Sequence, residues 1–585
     1  METSKAGSFL PDIDYSYPPV HKSQSPTPGP EPDIVVRSPT NSSSKRNSSS
    51  RGWRRDSALD DDHLRRGLKP RHISFIALGG VLGTGLFLGT GDALGKAGPL
   101  GLLLGYSIFG GIMICLMQGL GEMAAYMPLA GGHVLYASRF VDKSLGFAVG
   151  CTYALIWVLA CPAELSALAV LVNYWIPDKT VSNAVWILIA LGFIFTLNLF
   201  PVAVFGEAEF IFTSIKVITI IGLISKSNPP TRPLTPVLGI AINVGAGPNG
   251  HYIGFEYWHN PGTFGIEYLG IKGAGGKWLG FWAVFAQAGF SYIGTEIVAL
   301  TAAESANPTK ALPLAIKQIY LRICVFYILG TFILGLNCPS NDPRLGSASD
   351  ASASPFVIAI SRVGYTTLPH VINAAILLSA WSAANADIYV ASRTIYYLAK
   401  QGGLPKVFLR STRRGVPYVA VCTAATAGLL SLMSVDYNAH KVFNWFASLL
   451  GTCGLICFTI ISITYLRFRR ILELNHIDRS TLPFRSNFAR FGAWVVIATI
   501  PVIAVFSGWT AFFRRDKFDV ASLLTYYLPL VFFPIAYGAR KYYTKSRIMP
   551  LDEVDIYTGS RLKDELLVYN PGERKWWQKI SVFFT

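Results

Sequence analysis

Few ionisable side chains stand inside the long apolar runs of this chain. Lys216 lies in the middle of Phe210-Ile-Phe-Thr-Ser-Ile-Lys-Val-Ile-Thr-Ile-Ile221, and Glu164 follows a proline in Trp157-Val-Leu-Ala-Cys-Pro-Ala-Glu-Leu-Ser166. Glu296 comes directly after Gly294-Thr295, while Glu122 and Asp387 stand nearer the ends of their runs. An ionised group at bilayer depth costs about 2.5–3.5 kcal/mol on insertion scales, so each needs a partner or a task. Lys216 is too deep to reach water along its own stem. Burial disfavours its charged form, so such a lysine can take and release a proton. Held as a fixed counter-ion to Glu296 or Glu164, it would keep that proton; both readings stand. For Glu122 and Asp387 the choice is between a gate ion pair and interfacial anchoring. Arg393 and Glu304 read as topological or gate charges.

Two glycine-rich stretches offer a different chemistry. Ile73–Asp92 has no charged side chain before Asp92, and its middle reads Gly79-Gly80-Val81-Leu82-Gly83-Thr84-Gly85. Glycine loses the most backbone entropy on ordering, which makes this poor helix material. Small residues four apart could serve close helix packing. Alternatively Gly83-Thr84-Gly85 is a break whose freed N–H groups attract an anion near the midplane. A second cluster, Gly289, Ser291, Gly294 and Thr295, interrupts the run 280–303. Corresponding interruptions in two halves of a chain are the best sequence pointer to a carrier's binding site.

The elements that must position these residues are membrane helices. The 585 residues are 51% hydrophobic and 15% charged, where soluble proteins carry about 25% charge. Twelve spans are expected, near 73–92, 100–126, 145–172, 184–202, 207–225, 280–303, 316–337, 369–398, 417–434, 442–466, 491–512 and 522–540. The basic connections 399–416 and 467–490 then face the cytoplasm with both tails. Arg514, Arg515 and Lys517 in an outer loop depart from that rule, partly balanced by Asp516 and Asp519. Residues 1–70, rich in Ser, Pro, Lys and Arg, read as a disordered tail open to modification. Residues 226–278 read as a long outer loop. The tail 542–585, ending near Trp576-Trp577, reads as lying on the membrane surface or docking on the cytoplasmic face. The net charge of +17 gathers in tails and short loops and does not point to nucleic acid. The eight cysteines show no metal-ligand spacing or disulfide framework, and no cleaved signal peptide is expected.

Several ordered motifs are similar to the fungal amino-acid permeases of the amino acid–polyamine–organocation superfamily. They are Ile76-Ala-Leu-Gly-Gly-Val-Leu-Gly-Thr-Gly-Leu-Phe-Leu-Gly89, Gly121-Glu-Met-Ala124, Gly206-Glu-Ala-Glu-Phe210, Gly294-Thr-Glu296 and Phe443-Asn-Trp445, with others across about residues 64–575. The resemblance implies an all-α membrane protein with twelve transmembrane helices in a leucine-transporter-like fold. That fold has a five-plus-five inverted repeat and discontinuous helices 1 and 6. It further implies plasma-membrane residence and proton-coupled uptake, with no cofactor and no covalent chemistry, so not an enzyme. It places a substrate carboxylate on Gly83, Thr84 and Gly85, and the amine by Phe290, Ser291 and Ile293. Glu296 matches the acidic residue after the sixth-span break. Lys216, with Glu164 and Glu122, becomes a proton-coupling candidate, and Phe290 an aromatic gate or a core residue.

Small residues around Ala160–Ala163, Ser382–Asn385 and Ala447-Ser448 imply broad or neutral-weighted specificity. Cys161-Pro162-Ala163 departs from many relatives. The partners expected are an amino acid, the lipid bilayer and, through the tails, cytoplasmic regulatory and ubiquitination machinery. A non-transporting amino-acid receptor and a narrow permease for proline or γ-aminobutyrate are the alternatives. An ion channel would need a filter-like loop or rings of charge, which the chain lacks.

Overall fold

The computed structural model describes residues 83–557 and Ser560, apart from 130, 177–179, 225–237, 246–248, 266, 302–307, 346–353, 436, 483 and 514–518. The expected tail 1–70, residues 73–82 of the first span, Glu304 and the end of the C-terminal tail lie outside these. Fourteen helices carry the argument, named in chain order. They are α1 (Thr90–Tyr126), α2 (Gly132–Phe140), α3 (Lys143–Val172), α4 (Asn183–Asn198), α5 (Val202–Ile224), α6 (Gly273–Ser291) and α7 (Ile297–Thr301). Then follow α8 (Pro308–Arg322), α9 (Gly330–Asn337), α10 (Leu368–Lys400), α11 (Tyr418–Gly428), α12 (Ala439–Leu474), α13 (Ala489–Phe506) and α14 (Val520–Thr544).

Among the described residues seven helical stretches are long and apolar enough to cross a membrane, and two shorter apolar ones accompany them. The first, Gly85–Tyr126, is two helices merged across a kink. Gly98 there has φ 74°, a conformation that only glycine adopts cheaply, and Pro99 restarts the helix with its fixed φ. An added Cβ at Gly98 would lie 2.7 Å from the backbone of Gly265, so the outer loop packs directly on this corner. A side chain would cost both the φ strain and that contact.

Long apolar stretches fold as helices because lipid offers backbone N–H and C=O groups no partner outside the ladder. The lipid-facing role is plainest in α14, whose apolar window is only 6% buried. Leu524, Leu528, Val531 and Ile535 all stand exposed there, which water would not tolerate as one patch. The inner frame is α3, packed along α10 and α12, while α1 lies on α6. Short polar caps start several helices: Asp142 accepts from Ser144 N at 3.0 Å for α3, and Asn438 from His440 N at 2.9 Å for α12.

One feature was not expected from the sequence, the short helix α2 between the second and third expected spans. The loop 226–278, expected as a cap with some order, holds the helices Leu238–Asn243 and Glu256–His259 and a two-stranded hairpin, Glu267–Tyr268 with Ile271–Lys272. After α9, Asp342 is clasped by Arg344 (2.8 Å) and Arg362 (2.9 Å). The Arg344 guanidinium bonded to it holds the Asp342 carboxyl at about 2. The described part of the C-terminal tail docks on helix ends. Met549 N donates to Val141 O at 2.9 Å, Tyr126 OH to Ile556 O at 3.2 Å, and Arg139 pairs with Asp555 at 2.9 Å.

Candidate functional site

The expected interruption of the run 280–303 lies at Tyr292–Glu296, where a turn separates α6 from α7. Gly294 takes φ 92°, a left-handed conformation closed to most side chains. The Glu296 carboxylate folds back and accepts the Gly294 N–H at 3.2 and 3.0 Å. It therefore stabilises the turn, and it is not on the cavity wall described below. The carbonyls at the end of α6 are partly engaged: Phe290 O accepts from Ile293 N at 3.2 Å and Ser291 O from Tyr327 OH at 2.7 Å. Three tyrosines, Tyr106, Tyr292 and Tyr327, gather behind this turn. The rings of Tyr292 and Tyr327 stack at 4.4 Å, and Tyr106 OH lies 2.9 Å from Ser291 Oγ. The sequence reading missed this cluster, because its members come from three distant segments.

Opposite the turn, Gly83 and Thr84 lead into a π-helical stretch, Gly85–Gly89, that feeds α1. A π-turn within a helix widens the ladder and often marks a functional site. Thr84 N donates to Glu164 Oε1 of α3 at 3.3 Å. A Cβ at Gly83 would come within 2.5 Å of that same carboxylate oxygen. A Cβ at Gly85 would lie 3.1 Å from both Ser291 Cα and Oγ and 3.2 Å from Phe290 Cδ1. These glycines are what let the backbone approach α3 and α6.

Between these segments lies a cavity. Eight expected residues line it: Gly83, Gly85, Glu164, Phe290, Ser291 and Ile293, with Ala160 and Ala383 from two of the small-residue stretches. Ile156, Trp157, Leu450 and Asp387 complete the wall. The mix of apolar surface with a few converging polar groups is that of a small-molecule site. Thr84 touches it only through its bond to Glu164.

Lys216 and Glu122 are elsewhere. The counter-ions weighed for Lys216 were Glu296 and Glu164, but the nearest carboxylate is Glu209 of its own helix, 4.0 Å from Nζ with both side chains fully buried. Seven residues separate them, two turns along one helical face, so the sequence did contain the signal. Glu209 is further held by Ser382 Oγ at 2.9 Å and Thr213 Oγ1 at 3.3 Å. Lys216 still interacts electrostatically with Glu164 and Asp387, which ties it to the cavity. Asp387, expected nearer a helix end as a gate or anchor, instead faces the cavity from α10. Arg393 stacks over the Tyr389 ring at 3.6 Å.

Glu122 is buried among fixed partners: Arg479 Nη2 at 2.6 Å, Ser486 N at 2.8 Å and Tyr465 OH at 2.9 Å. The arrangement ties α1 to α12 and to the connection after it. Removing one member of a buried pair costs about 3–5 kcal/mol. Glu122→Ala is therefore expected to lower the melting temperature of the purified protein markedly. Glu122→Ala with Arg479→Ala should recover part of the loss; no loss in the single variant would show that the pair contributes nothing.

The amino acid permease family model matches residues 72–552. This chain belongs to the amino acid permease family. Similar permeases include the dicarboxylic amino acid permease of Saccharomyces cerevisiae, 39% identical over 87% of this chain and 82% of its own. The proline-specific permease of Emericella nidulans is 39% identical over 88% of this chain and 93% of its own. The lysine-specific permease of Saccharomyces cerevisiae is 37% identical over 89% and 82%. Among solved structures, one of the Eremococcus coleocola manganese transporter aligns with TM-score 0.51 at 11% identity, covering 83% of this chain and 94% of that one. That likeness concerns the fold alone. The permease is thus a multi-pass membrane protein of a transporter family whose members differ in the amino acids they carry.

Proposed function

We propose that this permease is a plasma-membrane proton/amino-acid symporter of broad specificity, built on twelve helices in an inverted repeat with both termini in the cytoplasm. In this reading helices 1 and 6 are discontinuous, and the substrate zwitterion sits between them. Its carboxylate meets the N–H groups near Gly83, Thr84 and Gly85, and its amine the carbonyl end of α6 by Phe290, Ser291 and Ile293, as helix polarity favours. The observation that carries this reading is the cavity at which Gly83, Gly85, Phe290, Ser291 and Glu164 converge.

Glu164 Oε1 takes the Thr84 N–H that a substrate carboxylate would want. Arrival of the substrate then requires Glu164 to leave or to be protonated, which links binding to proton uptake. Lys216 and Glu209 adjust the charge of that step. One helix bundle then rocks against the other to expose the site to each side in turn.

Radiolabelled amino-acid uptake in permease-deficient cells tests the reading. Accumulation above the external concentration that a protonophore abolishes is the expected result. Binding without flux would favour the receptor instead, and flux insensitive to the protonophore would remove the proton.

A further inference from the structure

We infer that Asp387 reads the substrate's side chain, and that the permease favours amino acids with a cationic side chain, of the lysine, ornithine and arginine type. The inference rests on the permease reading above and narrows its broad specificity to one preferred substrate class.

Two carboxylates face the one cavity, Glu164 from α3 and Asp387 from α10. Both side chains are buried, with residue exposures of 7% and 4%. Oε2 of Glu164 and Oδ2 of Asp387 make no hydrogen bond among the described residues. The third carboxylate of the neighbourhood, Glu209, already has Lys216, Ser382 and Thr213 around it. The cavity wall contributes no cationic side chain. Lys216 interacts with both carboxylates electrostatically, but neither oxygen has a hydrogen-bond partner among the described residues beside this otherwise apolar chamber, a costly arrangement unless a cation or a proton arrives.

A neutral amino acid does not complete this count. It brings one amine and one carboxylate, which its own backbone sites take up, and leaves both wall carboxylates as they were. A proton on Glu164 satisfies one of them. The ammonium or guanidinium of a basic side chain satisfies the other. Glu164 is the one bonded to the backbone at Thr84, and Asp387 stands one helical turn from the small Ala383 on the same wall. Asp387 is therefore the carboxylate free to meet the far end of the substrate, with Trp157 and Ile156 along the stem. Neither the spacing of the helix nor the small residues at Ser382–Asn385 reveals this charge.

The test compares lysine with norleucine, which has the same straight four-carbon side chain without the ammonium. Uptake of both labelled compounds is measured for the unaltered permease, for Asp387→Asn and for Asp387→Glu, with surface protein quantified by a fluorescent tag. The unaltered chain is expected to prefer lysine in kcat/KM. Asp387→Asn should reduce the lysine-to-norleucine ratio at least tenfold, and Asp387→Glu should keep most of it. A ratio unchanged in Asp387→Asn, whether both rates fall or neither does, overturns the inference and makes Asp387 a coupling or structural residue.

A measurement on the unaltered chain needs no variant to fold. Unlabelled norleucine that competes with labelled lysine as well as unlabelled ornithine does would also overturn the inference. A chain that takes up neither compound nor any other amino acid fails at the transport reading itself. One that carries neutral amino acids alone fails only here.

Discussion

Lys216→Met is expected to accumulate no substrate above the external concentration while still reaching the membrane. The ammonium it removes is fully buried, 4.0 Å from Glu209 and in electrostatic contact with Glu164 and Asp387. Methionine is unbranched, one atom shorter and uncharged, so packing changes little. Without the lysine, Glu209 becomes a buried carboxylate lacking its counter-ion, and the least costly answer is to hold a proton permanently. The cluster then no longer gains and loses protons with substrate, and uphill movement has no drive.

The steady-state ratio of internal to external label should fall to about one. The initial rate should drop on the order of 100-fold, about 2.7 kcal/mol in the barrier at 1.36 kcal/mol per tenfold. Breaking a buried pair also threatens folding, by about 3–5 kcal/mol. Lys216→Met with Glu209→Gln removes both charges and so relieves that cost; it is expected to reach the membrane as well and still not to accumulate substrate. Concentrative uptake by either variant would sink the coupling role of Lys216.

What the sequence made legible follows from what periodicity and composition can carry. The third, eighth and tenth spans were expected at 145–172, 369–398 and 442–466, and the helices run Lys143–Val172, Leu368–Lys400 and Ala439–Leu474. A hydrocarbon core fixes the apolar length and leaves only the polar ends uncertain. Gly83, Gly85 and Glu164 were also legible, because glycine and an ionisable side chain are both anomalous in a lipid-spanning run. Ser291 was legible as part of a second small-residue cluster, whereas Phe290 and Ile293 came from the family resemblance alone. Asp387 was misplaced because depth along a helix says nothing about the side it faces. Its approach to Glu164 depends on how α3 and α10 pack, which no local pattern encodes. The Tyr106–Tyr292–Tyr327 cluster was invisible for the same reason. Glu209 could have been found by stepping two turns back from Lys216. The short helix α2 was missed because nine residues between apolar spans give too few turns for a period to declare itself.

Gly85→Val is expected to reduce uptake to about 1% or less of the unaltered permease, with folded protein still delivered to the membrane. The physical cause is a backbone contact. A Cβ at this position would sit 3.1 Å from Ser291 Cα, and main chain cannot rotate away as a side chain can. Phe290 Cδ1 at 3.2 Å could yield by a ring rotation, so Gly85→Ala should show an intermediate loss. Valine adds two further carbons, which must either push the end of α6 outward or enter the cavity. Overpacking of this kind costs about 1–3 kcal/mol. Taken directly from substrate binding, that is about 5–140-fold in affinity at 1.4 kcal/mol per tenfold.

The close approach also lies on the cavity wall itself, so turnover should fall together with affinity. The control is Gly111→Ala, on the same helix α1, where an added Cβ meets nothing within 4 Å. That variant should transport normally, since alanine also favours the helix by about 1 kcal/mol over glycine. A Gly85→Val permease that transports like Gly111→Ala would mean that the close approach of Gly85 to Ser291 has no part in the site.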